Sequence, residues 1–310
     1  MACHYPKPAY LSSEGKVTFV RREKALGHTA FVHIPCGMCN GCKAGHARDW
    51  AIRCYHESQM HEDSCFVTLT YRDEMLPPHG SLNAKDLQKF FKSLREKIIP
   101  QIRFFACGEY GTKKGRPHYH AVIFGWRPGD KRLVNTSAKG NPQYESQVLE
   151  KAWPYGFAPW SDFDPSCARY VAHYTADKLK SYAKDSIDPE TGLKPYEVMD
   201  RDGQIWKLQS EFQRQSLKPG IGFRWFEQNY NEVFPADSVV MGGKEYPPPR
   251  AYYKWLKDID PDLHKKVRHN RQVKSMTQEY ETGLRAHQKT LSREAKLTRY
   301  KRPTHEKEIS

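Results

Sequence analysis

The chain has 310 residues, of which 13% are aromatic and 28% are charged, a balance that predicts a folded protein with a substantial core. It contains no run of about 18 apolar residues and opens with no signal peptide, so we expect neither a membrane-spanning nor a secreted protein. The 50 basic residues outnumber the 36 acidic ones and give a net charge of +14. This excess favours a polyanionic partner, nucleic acid before an anionic membrane, although a generally basic surface would produce the same charge.

The first third of the chain predicts strands and helices in alternation. Residues 1–35 indicate a short β-region, with strand-like runs at 17–20 and 30–34. Residues 43–62 repeat apolar side chains at helical steps, whereas 65–71 alternate as a strand does. A further helix is expected after Asn83, whose side chain is suited to an N-cap. Its predicted core stripe consists of Leu87, Phe90, Phe91, Leu94 and Ile98.

Three cysteines in the pattern Cys-x2-Cys-x2-Cys follow the N-terminal β-region. Cys36, Cys39 and Cys42, with Cys3 as a fourth ligand, would suit a tetrahedral structural zinc ion. An iron–sulfur cluster is a rival, although the ferredoxin pattern continues to a fourth Cys followed by Pro, which is missing here. A metal-free thiol cluster also stays open. The other four cysteines lie in apolar patterns and are expected to be reduced core residues.

A predicted β-hairpin carries the residues with the clearest chemistry. Its strands are the apolar runs 102–107 and 118–124, joined by a loop rich in Gly and Lys. Residues two apart in a strand share a face, so His118 and His120 point the same way, and Glu109 lies across from them if the strands are antiparallel. Two imidazoles and one carboxylate would bind a divalent cation. The alternative is a pair of half-buried histidines satisfied by their neighbours.

The segment after the hairpin predicts further elements. Residues 126–143 are polar and rich in Gly and Pro, so we expect a loop; 145–153 indicate a short helix and 156–163 an additional strand. The order of strand, helix and hairpin predicts an α+β fold, with helices packed on a central antiparallel sheet.

A second helix is predicted from Asp164 and Pro165 to about residue 183. Tyr170, Tyr174 and Lys178 stand four residues apart and therefore share one helical face. A metal site facing two tyrosines suits DNA strand transfer, because the ion polarises a scissile phosphate while a phenolic oxygen attacks phosphorus. An amphipathic helix with two half-buried tyrosines is the alternative.

The C-terminal part shows turns and a basic tail. Asp202-Gly203 and Gly242-Gly243 indicate hairpin turns. Residues 250–310 carry 16 Lys and Arg against 8 Asp and Glu, so this tail either tracks phosphates or is simply solvated. No P-loop motif for an ATP-driven helicase occurs. The predicted domains are the N-terminal β-region with the Cys cluster and first helix (1–62), a core (63–185), a β-rich extension (186–260) and a basic tail, helical or disordered (261–310).

Three motifs together resemble a known family. In order, they are Phe66–Tyr71, Gly115–His120 and Tyr170-x3-Tyr174-x3-Lys178, and they are similar to the motifs of HUH rolling-circle replication initiators. Flanking segments resemble, within that superfamily, the initiators of gokushoviruses, small single-stranded DNA phages of the microvirus family. The resemblance covers roughly residues 1–260; these flanking segments are Pro35–Cys42, Gly108–Gly111 and Lys218–Phe223.

The resemblance implies specific roles. It implies an HUH endonuclease-like fold with a ferredoxin- or RRM-like core and a metal site formed by His118, His120 and Glu109. Tyr170 and Tyr174 would be alternating nucleophiles that form a 5′-phosphotyrosine and leave a free 3′-hydroxyl. Other implied site residues are Lys178 as an accessory charge, and Thr68, Thr70, Lys113, Lys114 and Arg116 as DNA contacts. One departure is Asp177, which would compete with Glu109 as a metal ligand. Two-tyrosine HUH transposases share this logic, but the flanking motifs favour the phage initiators.

The expected function is therefore that of a DNA nickase and ligase for rolling-circle replication. Its expected cofactors are Mg²⁺ or Mn²⁺, with a structural Zn²⁺ at the Cys cluster. Single-stranded and replicative-form viral DNA would be its substrates in the cytoplasm of a host bacterium, with a host helicase and polymerase as partners and no membrane. A zinc-stabilised, non-catalytic nucleic-acid-binding protein, such as a packaging factor, is the alternative.

Overall fold

The computed structural model describes residues 3, 5–12, 17–19, 28–98, 101–111, 115–136, 140–168, 171, 187–277, 288, 291–292 and 295. None of the helices in these ranges has the length and apolar character that a bilayer crossing requires. The chain divides into two compact units, residues 1–46 with 229–303 and residues 47–228 with 304–310. The four-part domain division drawn from the sequence stays a prediction.

The elements are numbered in chain order. The strands are β1 (Lys7–Ser12), β2 (Val17–Thr18), β3 (His28–Ile34), β4 (Ser64–Tyr71), β5 (Arg103–Tyr110), β6 (Pro117–Phe124), β7 (Arg132–Thr136), β8 (Pro142–Glu145), β9 (Gly156–Phe157), β10 (Trp160–Asp162), β11 (Glu197–Met199), β12 (Ile205–Lys207), β13 (Phe212–Gln215), β14 (Val239–Met241) and β15 (Lys244–Tyr246). The helices are α1 (Asn40–Ser58), α2 (Ala84–Lys97), α3 (Gln147–Ala152), α4 (Phe223–Val233), α5 (Arg250–Ile259) and α6 (Pro261–Thr277).

An eight-stranded antiparallel sheet forms the centre of the second unit. Its strand order is β13-β5-β6-β4-β10-β8-β7, and β9 pairs with β4 beside β10. Strand β4 alternates strictly between buried and half-buried side chains, as its sequence predicted. Helix α2 begins at Asn83, whose side-chain oxygen accepts a hydrogen bond from the Lys85 amide. The predicted α+β class, with helices packed on an antiparallel sheet, is confirmed.

The two faces of this sheet have separate cores. On one face, Val67, Leu69 and Tyr119 pack with the apolar stripe of α2. On the other face, side chains of β5 and β6 pack with helix α1 and with residues 168 and 171 of the following helical segment. That second core consists of Ala47, Trp50, Cys54, Phe105, Cys107, Val122, Phe124, Ala168, Val171 and Ile221. The histidine pair lies on this second face, next to its apolar part.

Two features of the sheet differ from the predictions. The predicted loop at 126–143 is wrong, because it contains β7 and the start of β8, which form an antiparallel hairpin. Every residue of β7 is exposed, so its sequence lacks the alternation that marks a half-buried strand. Strand β13 was not predicted; it pairs with β5 so that Phe212 lies opposite Gly108. A Cβ atom at Gly108 would come within 2.9 Å of the Phe212 ring, so glycine permits this approach.

The first unit contains the predicted N-terminal β-region and much of the basic segment. Its three-stranded sheet has the order β2-β1-β3, and β1 was missed in the sequence. Among the described residues, the buried core of this sheet consists of Ala9, Leu11 and Val32, with Ile34 packed against it. The segment that follows Pro249 forms helices α5 and α6. The turns predicted at 202–203 and 242–243 join β11 to β12 and β14 to β15, as expected.

Candidate metal centre

Four side chains form a row across neighbouring strands of the central sheet. Strand register pairs Phe157 with Thr70, Thr70 with His118, and His118 with Glu109. Directly paired residues in antiparallel strands point to the same side of the sheet. The row therefore begins at an exposed phenylalanine and ends at a buried carboxylate. His120 lies two residues further along β6 and points to the same face.

The two histidines converge on one oxygen of Glu109. The Nε2 atom of His118 lies 2.9 Å from the Glu109 Oε1 atom, and the Nε2 atom of His120 lies 3.1 Å from it. The two imidazole rings are nearly perpendicular, with centroids 4.9 Å apart. The sequence predicted this convergence of His118, His120 and Glu109, and the structure brings the three residues together.

Hydrogen bonds at the other ring nitrogens orient both imidazoles. The Nδ1 atom of His118 is 3.0 Å from the carbonyl oxygen of Arg116, and that of His120 is 3.1 Å from the Thr68 hydroxyl. A carbonyl oxygen can only accept, so the Nδ1 atom of His118 carries the proton. The Nε2 lone pair would then face a carboxylate oxygen, an arrangement that requires either a second proton or a cation between them.

Glu109 is buried and charged. Burial raises the pKa of its carboxyl group, but the hydrogen bonds from His118 and His120 outweigh that effect and lower the pKa to about 2. Its Oε2 atom is buried and has no hydrogen-bond partner within the described part of the chain. The candidate ligand atoms of the three residues lie within 4.8 Å of one another. A carboxylate with an unused oxygen beside two oriented imidazoles fits a divalent cation.

Two tyrosines close to this site in sequence lie on the opposite face. The hydroxyl of Tyr119 is 2.8 Å from that of Tyr71, which in turn donates to Asp86 at 2.9 Å. Burial raises the pKa of Tyr119 to about 12 and that of Tyr71 well above its usual range. Phenols that are buried and hard to ionise make poor nucleophiles, so these two serve the core.

The helix predicted to carry the nucleophiles begins on the metal-site face. Residues 165–168 are helical, and the side chain of Asp164 accepts a hydrogen bond from the Ser166 amide, as a cap does. Ala168 and Val171 are fully buried in the core formed with β5 and β6. Outside the described residues lie Tyr170, Tyr174, Asp177, Lys178, Lys113 and Lys114.

The remaining predicted DNA contacts are Thr68, Thr70 and Arg116. Thr68 bonds to His120, as described above, and Arg116 donates to Asp73 and to the Tyr71 carbonyl oxygen. Two further residues at this edge were not predicted, because β9 is too short to show a pattern. Phe157 is 56% exposed, and the Arg72 guanidinium lies 5.4 Å from the centre of its ring. Gly156 allows this pairing, since a Cβ atom there would collide with the backbone of β4.

The four N-terminal cysteines also converge. The sulfur atoms of Cys3, Cys36, Cys39 and Cys42 lie within 4.8 Å of one another, and all are free thiols. Burial raises the pKa of Cys36, but hydrogen bonds from the Cys39 and Met38 amides outweigh it and lower the pKa to about 6. Of the other four cysteines, Cys54, Cys65 and Cys107 are buried as predicted, and Cys167 is half-buried.

Comparison with known proteins gives the family. The chain is 32% identical over 273 residues to the replication-associated protein VP4 of Bdellovibrio phage phiMH2K, covering 84% of this chain and 79% of that protein. The chain belongs to the phage replication-associated protein family. A family model described as replication-associated protein ORF2 matches residues 64–179 of this family member, the range that holds all three sequence motifs.

Other members of the phage replication-associated protein family match less completely. The replication-associated protein ORF2 of Spiroplasma virus 4 is 31% identical over 217 residues, which cover 67% of this chain and 61% of that protein. ORF4 of Chlamydia phage 1 is 24% identical over 234 residues, covering 73% and 54%. No solved structure matches the chain significantly. The likeness to phage replication initiators expected from the sequence is thereby confirmed.

Proposed function

We propose that this chain is a metal-dependent, site-specific single-strand DNA endonuclease and ligase that initiates and terminates rolling-circle replication of a phage genome. The observation that carries the proposal is the convergence of His118, His120 and Glu109 on the sheet face from which the helical segment 165–171 starts. The names of the relatives, all replication-associated proteins, support the biological setting.

His118, His120 and Glu109 would hold one divalent cation. Its chemical contribution would be Lewis-acid polarisation of the scissile phosphate and stabilisation of charge on the phosphate oxygens. Glu109 supplies the negative charge, and Thr68 and the Arg116 carbonyl oxygen keep the imidazoles oriented. Two nitrogen donors and one oxygen donor suit Mn²⁺ at least as well as Mg²⁺, which prefers oxygen ligands, so both ions belong in an assay.

Tyr170 and Tyr174 would be the nucleophiles. In the proposed reaction, the phenolic oxygen of one tyrosine loses its proton and bonds to phosphorus as the 3′-oxygen of the preceding nucleotide leaves, giving a 5′-phosphotyrosine and a free 3′-hydroxyl. The second tyrosine repeats the step on the regenerated origin, after which the 3′-hydroxyl attacks the first linkage and closes a circle. Lys178 would provide accessory positive charge that favours the phenolate.

DNA would approach along the exposed end of the row. Phe157 offers an open aromatic face one pair from Thr70, and Arg72 lies over its ring, so a nucleobase and its phosphate could both be held there. Thr70, Arg116, Lys113 and Lys114 are further proposed contacts. Their charge would act on phosphates and position the strand, whereas stacking on Phe157 would hold an unpaired base.

The wider setting follows from the same proposal. Viral single-stranded and replicative-form DNA would be the substrates in the host bacterial cytoplasm. A host helicase and polymerase would act with the protein, since the chain contains no P-loop motif. A non-catalytic packaging protein would use the same net charge of +14 but would not need a converged metal triad.

The direct test is incubation of the full chain with single-stranded origin DNA and Mn²⁺ or Mg²⁺. We expect a covalent protein–DNA adduct that resists denaturant, disappears in EDTA, and yields a phosphotyrosine peptide by mass spectrometry. DNA binding without an adduct at any metal concentration would instead support the packaging role.

A further inference from the structure

The sulfur atoms of the N-terminal cysteine cluster are spaced as a mononuclear metal site requires. The distance between the sulfurs of Cys36 and Cys42 is 4.0 Å, and that between the sulfurs of Cys39 and Cys3 is 3.9 Å. Zinc–thiolate bonds of about 2.3 Å in a tetrahedron place the sulfurs about 3.8 Å apart. Bonded disulfide sulfurs would lie at about 2.05 Å, much closer than these pairs.

The spacing also argues against the iron–sulfur alternative. All four sulfurs lie within 4.8 Å of one another. A multi-iron cluster puts its own iron and sulfide atoms between the cysteine ligands and needs them further apart than a single ion does. The sequence pattern agrees, because the ferredoxin motif is incomplete here. We propose that Cys3, Cys36, Cys39 and Cys42 hold one structural zinc ion.

The local backbone is built to support thiolates. The Cys39 amide donates to the Cys36 sulfur at 3.3 Å, and the Cys36 amide donates to the Cys3 sulfur at 3.2 Å. Gly37 has φ of +78°, a left-handed conformation that glycine adopts without strain and that turns the chain between the first two ligands of the motif. Cys42 lies in the first turn of α1, where the helix dipole favours negative charge.

The zinc would reinforce a part of the fold that buries little. Among the described residues, the core of the three-stranded sheet contains Ala9, Leu11 and Val32 as its buried members. Cores of this size seldom stabilise a fold alone, and small domains commonly add a metal or a disulfide. Cys3 precedes β1, whereas the motif cysteines lie between β3 and the first turn of α1. One ion would therefore link both ends of the sheet to the start of the helix.

Ligand chemistry separates this site from the His-Glu centre. Four thiolates fill a tetrahedral zinc shell and leave no open position for a substrate, which is typical of structural sites. Soft thiolates favour zinc, whereas the mixed nitrogen and oxygen site suits Mn²⁺ or Mg²⁺. The zinc proposal consequently stands or falls independently of the nickase proposal.

The test is metal analysis of the full chain purified without chelators. We expect about one zinc per chain by elemental analysis, released stoichiometrically when a mercurial reagent blocks the thiols. Protein prepared with Co²⁺ should show thiolate-to-cobalt charge-transfer bands and intense visible bands typical of tetrahedral coordination. His118→Ala with His120→Ala should leave both signals unchanged.

Matched variants decide which thiols are involved. Cys36→Ser or Cys39→Ser should lower the zinc content at least several-fold, whereas Cys167→Ser, outside the cluster, should retain it. If the cluster variants fail to fold, the wild-type cobalt spectrum and mercurial release still decide. Protein that contains iron instead of zinc, or that lacks zinc and gives no thiolate bands with Co²⁺, would overturn the proposal.

Discussion

Glu109 and His118 face each other directly across the β5–β6 hairpin, with the Glu109 Oε1 atom 2.9 Å from the His118 Nε2 atom. The contact is buried and one carboxylate oxygen remains unused, so the geometry suits a cation that replaces the shared proton. The predictions that follow separate this metal role from a purely structural ion pair.

Removal of the ligands should abolish nicking without unfolding the protein. His118→Ala with His120→Ala should lower adduct formation by roughly 100-fold or more, because the phosphate loses its electrophilic partner. The surrounding sheet is held by apolar cores on both faces, so thermal unfolding should stay cooperative. His269→Ala, an exposed histidine in α6, is the matched control and should keep full activity. Full activity of the double variant in EDTA would contradict the metal role.

Thr68 should act on the metal through His120 rather than on DNA alone. Thr68→Val removes the hydroxyl bonded to the His120 Nδ1 atom and should weaken Mn²⁺ binding roughly 10- to 100-fold, the usual cost of losing an outer-shell partner. Thr68→Ser should restore most of the affinity. Thr70→Val, the next residue on this face, should leave Mn²⁺ affinity unchanged in calorimetric titration. Equal Mn²⁺ affinity for wild type and Thr68→Val would refute this role.

The metal-free protein should lose stability from Glu109 in acid. The folded pKa of Glu109 is about 2, below its ordinary value of 4.5, so its contribution is complete above pH 4.5 and disappears as pH falls towards 2. The full shift corresponds to about 3 kcal/mol. Urea unfolding in EDTA should therefore show a steeper loss of stability over this range for wild type than for Glu109→Gln. Parallel pH profiles would show that the ion pair adds no net stability.

Sequence patterns captured the local part of this site and missed its long-range part. The Glu109–His118 pairing was predictable because one hairpin fixes its own register. The bond from Thr68 to His120 depends on pairing between β4 and β6, which are 52 residues apart at this contact, and periodicity contains no such information. The exposed strand β7 was missed because neither of its faces is buried. Helix α2 was predicted well, since its cap and apolar stripe are both local.

Phe157 should contribute to binding of single-stranded DNA. It is 56% exposed, so Phe157→Ala should leave folding unaffected, whereas loss of one stacked base should weaken DNA binding by about 1–3 kcal/mol. Phe157→Trp should retain affinity. Fluorescence anisotropy with a labelled single strand gives the measurement. Leu133→Ala, an exposed apolar residue on β7, is the control; an equal loss for both variants would argue against stacking at Phe157.

Tyr170 and Tyr174 should each be able to attack the scissile phosphate. In a continuous helix they would stand about 6 Å apart along the axis, at about 1.5 Å per residue, and on the same face. Tyr170→Phe or Tyr174→Phe alone should retain part of the single-strand nicking, because the other phenol remains. Each single variant should nevertheless fail to release circles, because that step needs a second nucleophile while the first is still bound to DNA. The double variant should bind DNA with wild-type affinity, since the Lys and Arg contacts to phosphate are intact, yet form no adduct. Gel assays of nicking, adduct formation and circle release on one substrate distinguish these outcomes. A double variant that still becomes linked to DNA would place the nucleophile elsewhere in the chain.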